Sequence, residues 1–228
     1  MKKIIGLVLV LVVLISSVSV FAAKPDEVQL ELLKKYGIMT GDPDGNLRLE
    51  DTVTRAEATK MLTTALNYAS ASTRTFEKSE FPDVWDTHWA KDYINIAKKR
   101  NVVEGDEHGN FNPEADITNE ELVKLLVNIL GYEPMAEDAG GYPDGYLITG
   151  AKIGLTNGLS FVIGEAATRG DAAIMIANAL DIPLMALVRW STAADEKYVI
   201  FNGEDTVERV TILIKYWDMT EESETISE

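Results

Sequence analysis

One cassette recurs three times along this chain, and that repetition is what most narrows its possible folds. The first copy runs from Gly37 as G-I-M-T-G-D-P-D-G-N-L-R-L-E-D-T-V-T-R-A-E and continues into an apolar-striped helix. In the second copy Gly41, Gly45, Leu47, Val53, Thr54 and Glu57 become Gly105, Gly109, Phe111, Ile117, Thr118 and Glu121. The third places Thr168 and Asp171 in the roles of Thr54 and Glu57. The stripes that follow are Ala58, Met61, Leu62, Ala65, Leu66; then Leu122, Leu125, Leu126, Ile129, Leu130; then Ala172, Met175, Ile176, Ala179, Leu180. Each keeps i, i+3, i+4, i+7, i+8 spacing, which puts it on one face of an α-helix. A repeat of this length implies units that cannot bury their apolar faces alone, so the stripes are expected to meet in one shared core.

Each copy opens its helix with the same chemistry. Thr54, Thr118 and Thr168 stand as N-caps, with Glu57, Glu121 and Asp171 three residues on, a reciprocal capping box. Aspartate reaches less far, so the third box is expected to be the weakest. The residue after the cap is Arg55, Asn119 or Arg169. A cation in a first turn opposes the helix dipole by about 0.3–1 kcal/mol, so something must offset it. Either a neighbouring carboxylate does so, or an anionic ligand is held by the guanidinium and the first-turn amides.

The chain begins with a basic Met1-Lys2-Lys3, an apolar run from Ile4 to Ile15, and small residues up to Ala23. This reads as a signal peptide over 1–22, and no later stretch resembles a membrane span. Loss of Lys2 and Lys3 takes the formal charge from −16 to −18. So acidic a chain does not suit nucleic acid, whose phosphates require a basic face. It contains no cysteine, so an exported fold has no disulfides to lean on and must rely on its core.

Between the cassettes, Phe81-Pro82-Asp83-Val84 leads through His88-Trp89 into a helix with Ala90, Tyr93, Ile94 and Ala97 on one face. Tyr142-Pro143-Asp144 echoes that lead-in before a shortened third copy. Linkers are expected at 67–79 and 131–141. Downstream, Asn202-Gly203 between Lys197–Phe201 and Thr206–Ile214 is a hairpin signal, and the acidic end from Thr220 has a disordered composition.

The run F-P-D-V, H-W-A-K-D-Y-I, N-V-V-E-G-D-E-H-G-N-F-N-P and T-x-x-E resembles the S-layer homology (SLH) repeat, and T-R-A-E at Thr54–Glu57 is similar to that family's best-known tetrapeptide. The resemblance covers roughly residues 25–184. It implies an all-α fold: three helix-loop-helix repeats in a pseudo-three-fold bundle, here followed by a short β-hairpin-like segment. The implied domains are repeats at 23–68 (truncated lead-in), 80–132 and 141–184 (shortened). Residues 185–228 are then a linker, the start of a β domain and an acidic tail. The family implies noncovalent anchoring of an exported protein to the cell wall through pyruvylated secondary cell-wall polysaccharide, with S-layer or envelope proteins as further partners and no catalysis. Family ligand positions fall here on Asp83 and Asp144; Trp89; Gly41, Gly105 and Gly158; and Arg55 and Arg169. The first copy lacks the aspartate lead-in and Trp, the second has Asn119 for Arg, and the third lacks Trp, so any groove must be composite.

Other readings of these residues are plainer. A turn accounts for Asp-Gly in the 42–46 loop, whose residues at the outer EF-hand positions, Thr40 and Asp51, fit calcium poorly. His88 and His108, the two histidines, lack a metal-ligand spacing, and neither metal nor cofactor is expected. Trp89 is either a core plug or a sugar platform. The functional alternatives are a structural S-layer or protein-interaction module without glycan binding, and an exported hydrolase, which has only its many acids to support it. If Arg55 meets a carboxylate-bearing sugar beside Asp83 and Trp89, Arg55→Ala should weaken binding while leaving stability level or slightly higher.

Overall fold

The computed structural model describes residues 24–68, 78–188, 197–200 and 210–217. The segment expected to be a signal peptide, most of the expected first linker, the Asn202-Gly203 hairpin signal and the acidic end lie outside these residues. Eight helices are described: α1 (Glu27–Lys35), α2 (Arg55–Ala65), α3 (Lys91–Lys99), α4 (Asn119–Ile129), α5 (Glu133–Asp138), α6 (Asp144–Lys152), α7 (Arg169–Asp181) and α8 (Ile212–Trp217). A two-stranded antiparallel sheet pairs β1 (Met185–Val188) with β2 (Lys197–Ile200).

The capping boxes form in all three copies. The hydroxyls of Thr54, Thr118 and Thr168 accept the amides of Glu57, Glu121 and Asp171, and each acid accepts the cap amide in return. The third box is not weaker. Asp171 takes the Thr168 amide at 3.0 Å, between 2.9 Å for Glu121 and 3.1 Å for Glu57, and its carboxylate also receives the Thr168 hydroxyl at 2.7 Å.

Closure around the pseudo-three-fold axis comes from backbone. Val53 N donates to Ala167 O, Ala167 N to Ile117 O and Ile117 N to Val53 O, at 3.0, 2.8 and 2.9 Å. These three bonds make a closed triangle at the start of the three second helices. The helices then pack across repeats: α3 lies on α2, α6 on α4 and α1 on α7. Each first helix thus covers the second helix of the preceding copy, cyclically, which is why no copy suffices alone. The stripes of α2 and α7 are wholly buried, and Leu122, Leu126 and Leu130 from α4 join the same core.

Two segments depart from the sequence reading. Residues 131–141, expected as a linker, contain α5. Ala136 and Tyr132 are buried there, and the Tyr132 hydroxyl donates to Pro183 O at 2.9 Å. Residues 212–214, expected at the end of a strand, begin a helix, and β2 pairs instead with the preceding strand β1. Ile212 enters the common core. Trp217 donates its indole N–H to Ala65 O at 2.8 Å and lies against Tyr36, with ring centroids 4.7 Å apart. Apolar burial against α1 and α2 overrides the local β propensity there.

Candidate functional site

The first turns of the second helices are where the sequence left a choice between a carboxylate and a ligand. In the structure the N1 and N2 amides of α2 donate to Ala115 O and Pro113 O, and those of α7 to Asp51 O and Leu49 O. The third amide of each belongs to its capping threonine. Neighbouring loops and caps therefore occupy the amides that an anion would have used.

The two arginines are clamps between repeats. Arg55 Nε donates to Phe111 O at 2.9 Å and Nη2 to Glu104 O at 3.4 Å, with Glu121 3.9 Å away and the guanidinium over the Phe111 ring. Arg169 repeats this on the first loop. Its Nε donates to Leu47 O at 2.8 Å and its Nη2 to Thr40 O at 3.3 Å, with Glu57 at 3.6 Å. Loop carbonyls and a capping glutamate together offset the dipole cost. Loss of Arg55 would leave two carbonyls without their donor, so a cost in stability is now expected in place of the level outcome that the dipole alone suggested. Asn119 fills the third position with a shorter tie, donating Nδ2 to Glu165 O at 3.3 Å.

Asp83 grips the other side of the Phe111 peptide, accepting the amides of Phe111 at 2.8 Å and Asn112 at 2.6 Å. It and Arg55 hold one peptide from opposite edges. Asp144, its counterpart by sequence, stands exposed at the start of α6 and holds no loop. Gly41 and Gly105 are glycines for a steric reason. A Cβ on Gly41 would lie 2.8 Å from Gly45 C, and one on Gly105 would lie 3.1 Å from Asn110 O and from the Phe81 ring. The aspartates that follow fasten the same turns. Asp42 accepts the amides of Asp44 and Asn46. Asp106 accepts those of His108 and Asn110 and the Asn112 side chain. The Asn112 bond and the loop amides hold the Asp106 carboxyl below its ordinary range. Those loop donors account for the placement of both aspartates.

Two grooves emerge. The first, about 190 Å³, brings together Gly41 from the first repeat, Trp89 from the second and Arg169 from the third. Arg48, Lys60, Glu57 and Asp42 complete its charged lining, three cations against two carboxylates. Sequence reasoning missed Lys60 and Arg48, although both lie within the cassette. Trp89 is 54% exposed, which favours the platform over the core plug, and it lies in this groove rather than beside Arg55.

The second groove, about 570 Å³, gathers Arg55 and Gly105 with Lys124, Tyr142 and Tyr146. Its carboxylates are Glu104, Asp106, Asp116, Glu121, Glu133 and Glu137, six against two cations. The Tyr146 hydroxyl donates to Glu137 at 3.0 Å. Burial first, then Glu137 and Glu133, hold its proton on to well above the usual tyrosine range. Gly158 and Asp144 line neither groove. Among the described residues no group of three or more His, Cys, Asp or Glu could hold a metal ion, and no helix is long and apolar enough to cross a membrane.

Comparison with known proteins agrees with this architecture. The family model described as the S-layer homology domain matches residues 30–59 and 80–123. A "Cell surface protein" of Thermoanaerobacter kivui is 29% identical over 185 residues, 81% of this chain and 23% of that protein. A "Middle cell wall protein" of Brevibacillus brevis is 26% identical over 194 residues, 85% of this chain and 17% of its own length. A "Surface layer protein" of Brevibacillus choshinensis is 26% identical over 168 residues, 73% of this chain and 15% of its own length. The chain thus spans less than a quarter of each of these relatives. With their cyclic helix pairing and capped T-R-A-E turn, residues 30–59 and 80–123 match the S-layer homology domain family.

Proposed function

We propose that this chain anchors an exported protein noncovalently at the cell surface, and that the first groove is where it grips an anionic wall polysaccharide. Residues 141–184 are read as the third, shortened repeat of the anchor. The observation that carries the reading is a convergence with a charge sign. Three sequence-predicted residues, Gly41, Trp89 and Arg169, come from three different repeats to one groove with excess positive charge. The whole chain carries −16, so a cationic groove on it is a local exception. A pyruvyl carboxylate supplies the matching anion, and its sugar ring has an apolar face for the Trp89 indole.

Arg169 spends three of its donor directions on Leu47, Thr40 and Glu57. A guanidinium has five N–H bonds, so two remain for a ligand. Lys60 and Arg48 add two more cations to the lining, Arg48 lying 3.6 Å from Asp51 and 3.9 Å from Glu57. The second groove is a poor host for the same ligand, since its carboxylates outnumber its cations three to one. No catalytic role is proposed.

The test is retention on purified cell wall, before and after chemical removal of pyruvyl ketals. Wild type should be retained on the intact wall and released from the stripped one. Lys60→Ala and Trp89→Ala should lower retention with unchanged melting temperatures. Equal retention on both walls would leave the carboxylate without a role and favour a module that contacts envelope proteins instead.

A further inference from the structure

Trp89 is more than half exposed, and the ring of its neighbour His88 lies beside it. The His88 ring lies alongside the indole, with centroids 5.7 Å apart and planes inclined by 28°. His88 is itself fixed at both ring nitrogens. Nδ1 accepts the backbone amide of Ala90 at 3.1 Å, and Nε2 meets Glu114 Oε1 at 2.8 Å. Because Nδ1 accepts, the neutral imidazole carries its proton on Nε2 and donates it to Glu114, so one tautomer and one ring orientation result.

The backbone adds to this. His88 N donates to Trp85 O and Lys91 N to His88 O, at 2.8 and 3.1 Å. The His88 side chain is only 12% exposed, whereas that of Glu114 is 73% exposed. A well-fixed ring therefore stands between an exposed carboxylate and an exposed indole at the groove.

We propose that His88 is a positioning residue: tied down by Glu114 and the Ala90 amide, it sets the Trp89 indole as a preformed sugar-stacking face. An indole free to change rotamer would lose that freedom on binding, and one already fixed does not. This rests on the reading of the first groove as the polysaccharide site.

The experiment is a double-mutant cycle on the full chain, using pyruvylated wall polysaccharide as the probe, with fluorotryptophan NMR as a second readout. His88→Ala should weaken binding about 3- to 10-fold, the range of one aromatic pair contact, and should shift or broaden the Trp89 resonance. In a Trp89→Ala background the same change should have no further effect on affinity, because the histidine acts through the indole. Glu114→Ala, at an exposed position, should weaken binding about twofold or more through lost orientation. That loss too should vanish without Trp89. Should His88→Ala fail to fold, the Glu114→Ala cycle decides alone. If Trp89→Ala loses binding while both other variants bind and resonate as wild type, the positioning role is overturned and the groove assignment stands. Losses that persist in the Trp89→Ala background also overturn it. If Trp89→Ala itself binds normally, the groove assignment fails first and takes this inference with it.

Discussion

The two grooves are built on the same frame and have opposite electrostatic character. Each sets an arginine from one repeat against two loop carbonyls and a capping glutamate of the repeat it meets. Each is closed by a glycine whose Cβ would strike its own loop. The first nevertheless holds three cations and two carboxylates, and the second holds two and six. The shared residues are therefore the scaffold, while the residues that differ set what each groove can receive. An arginine in the family tetrapeptide marks where repeats are clamped. It does not by itself mark an anion site.

The comparison breaks most completely if the frame is not common to both grooves. Leu126→Asp puts a charge at a position 2% exposed in the shared core. A buried unpaired charge costs several kcal/mol, comparable with total stability, so both grooves should be lost in a single transition. Separate melting of the repeats by calorimetry would contradict the cyclic packing.

The clamps themselves come next. The Arg169 side chain is 9% exposed and that of Arg55 is 22% exposed. Arg169→Ala should cost about 2–3 kcal/mol of unfolding free energy and Arg55→Ala about 1–2 kcal/mol, because Arg169 leaves a buried and a part-buried carbonyl without a donor, whereas those of Arg55 are part-buried and exposed. Lysine at either site should recover only part, lacking the fork that reaches two carbonyls. Chemical denaturation of the four variants checks the order.

Electrostatic contrast can then be tested with little disturbance of the fold. Lys60→Ala should weaken polysaccharide binding by about 1.5 kcal/mol, roughly tenfold. Glu104→Lys with Glu133→Lys should bring the second groove toward the first and add binding capacity. A double variant that gains none would show that shape, not charge, separates the grooves.

The smallest effect concerns the contact between Tyr68 and Tyr216, which line neither groove. Burial, then the Tyr216 hydroxyl, pushes the Tyr68 phenol up to about 12 from an ordinary 10.0. A raised phenol pKa contributes stability that is complete below pH 10 and lost as pH rises through 12. Tyr68→Phe should flatten the loss of stability between those values in alkaline titration, with groove binding at neutral pH unchanged.

Much of the frame was legible in the amino acids. The three apolar stripes, the Thr-x-x-acid boxes and the Gly-bearing turns each depend on contacts within a few residues, and all formed where the spacing put them. The grooves depend on longer distances. Arg55 meets Phe111 and Glu104, Arg169 meets Leu47 and Thr40, and Trp89 reaches the groove of Arg169. Those partners are set by the ring of backbone bonds among Val53, Ile117 and Ala167, which decides which loop faces which helix. Periodicity specifies that a helix face is apolar and must be covered, but any of several similar faces could cover it. The charge of a groove is likewise a sum over three loops from separate parts of the chain. The amino acids alone determined the repeat, its helices and their caps. The closed packing of the repeats decided that the first-turn amides are taken, that the arginines are clamps, and that the first of the two grooves is left positive and the second negative.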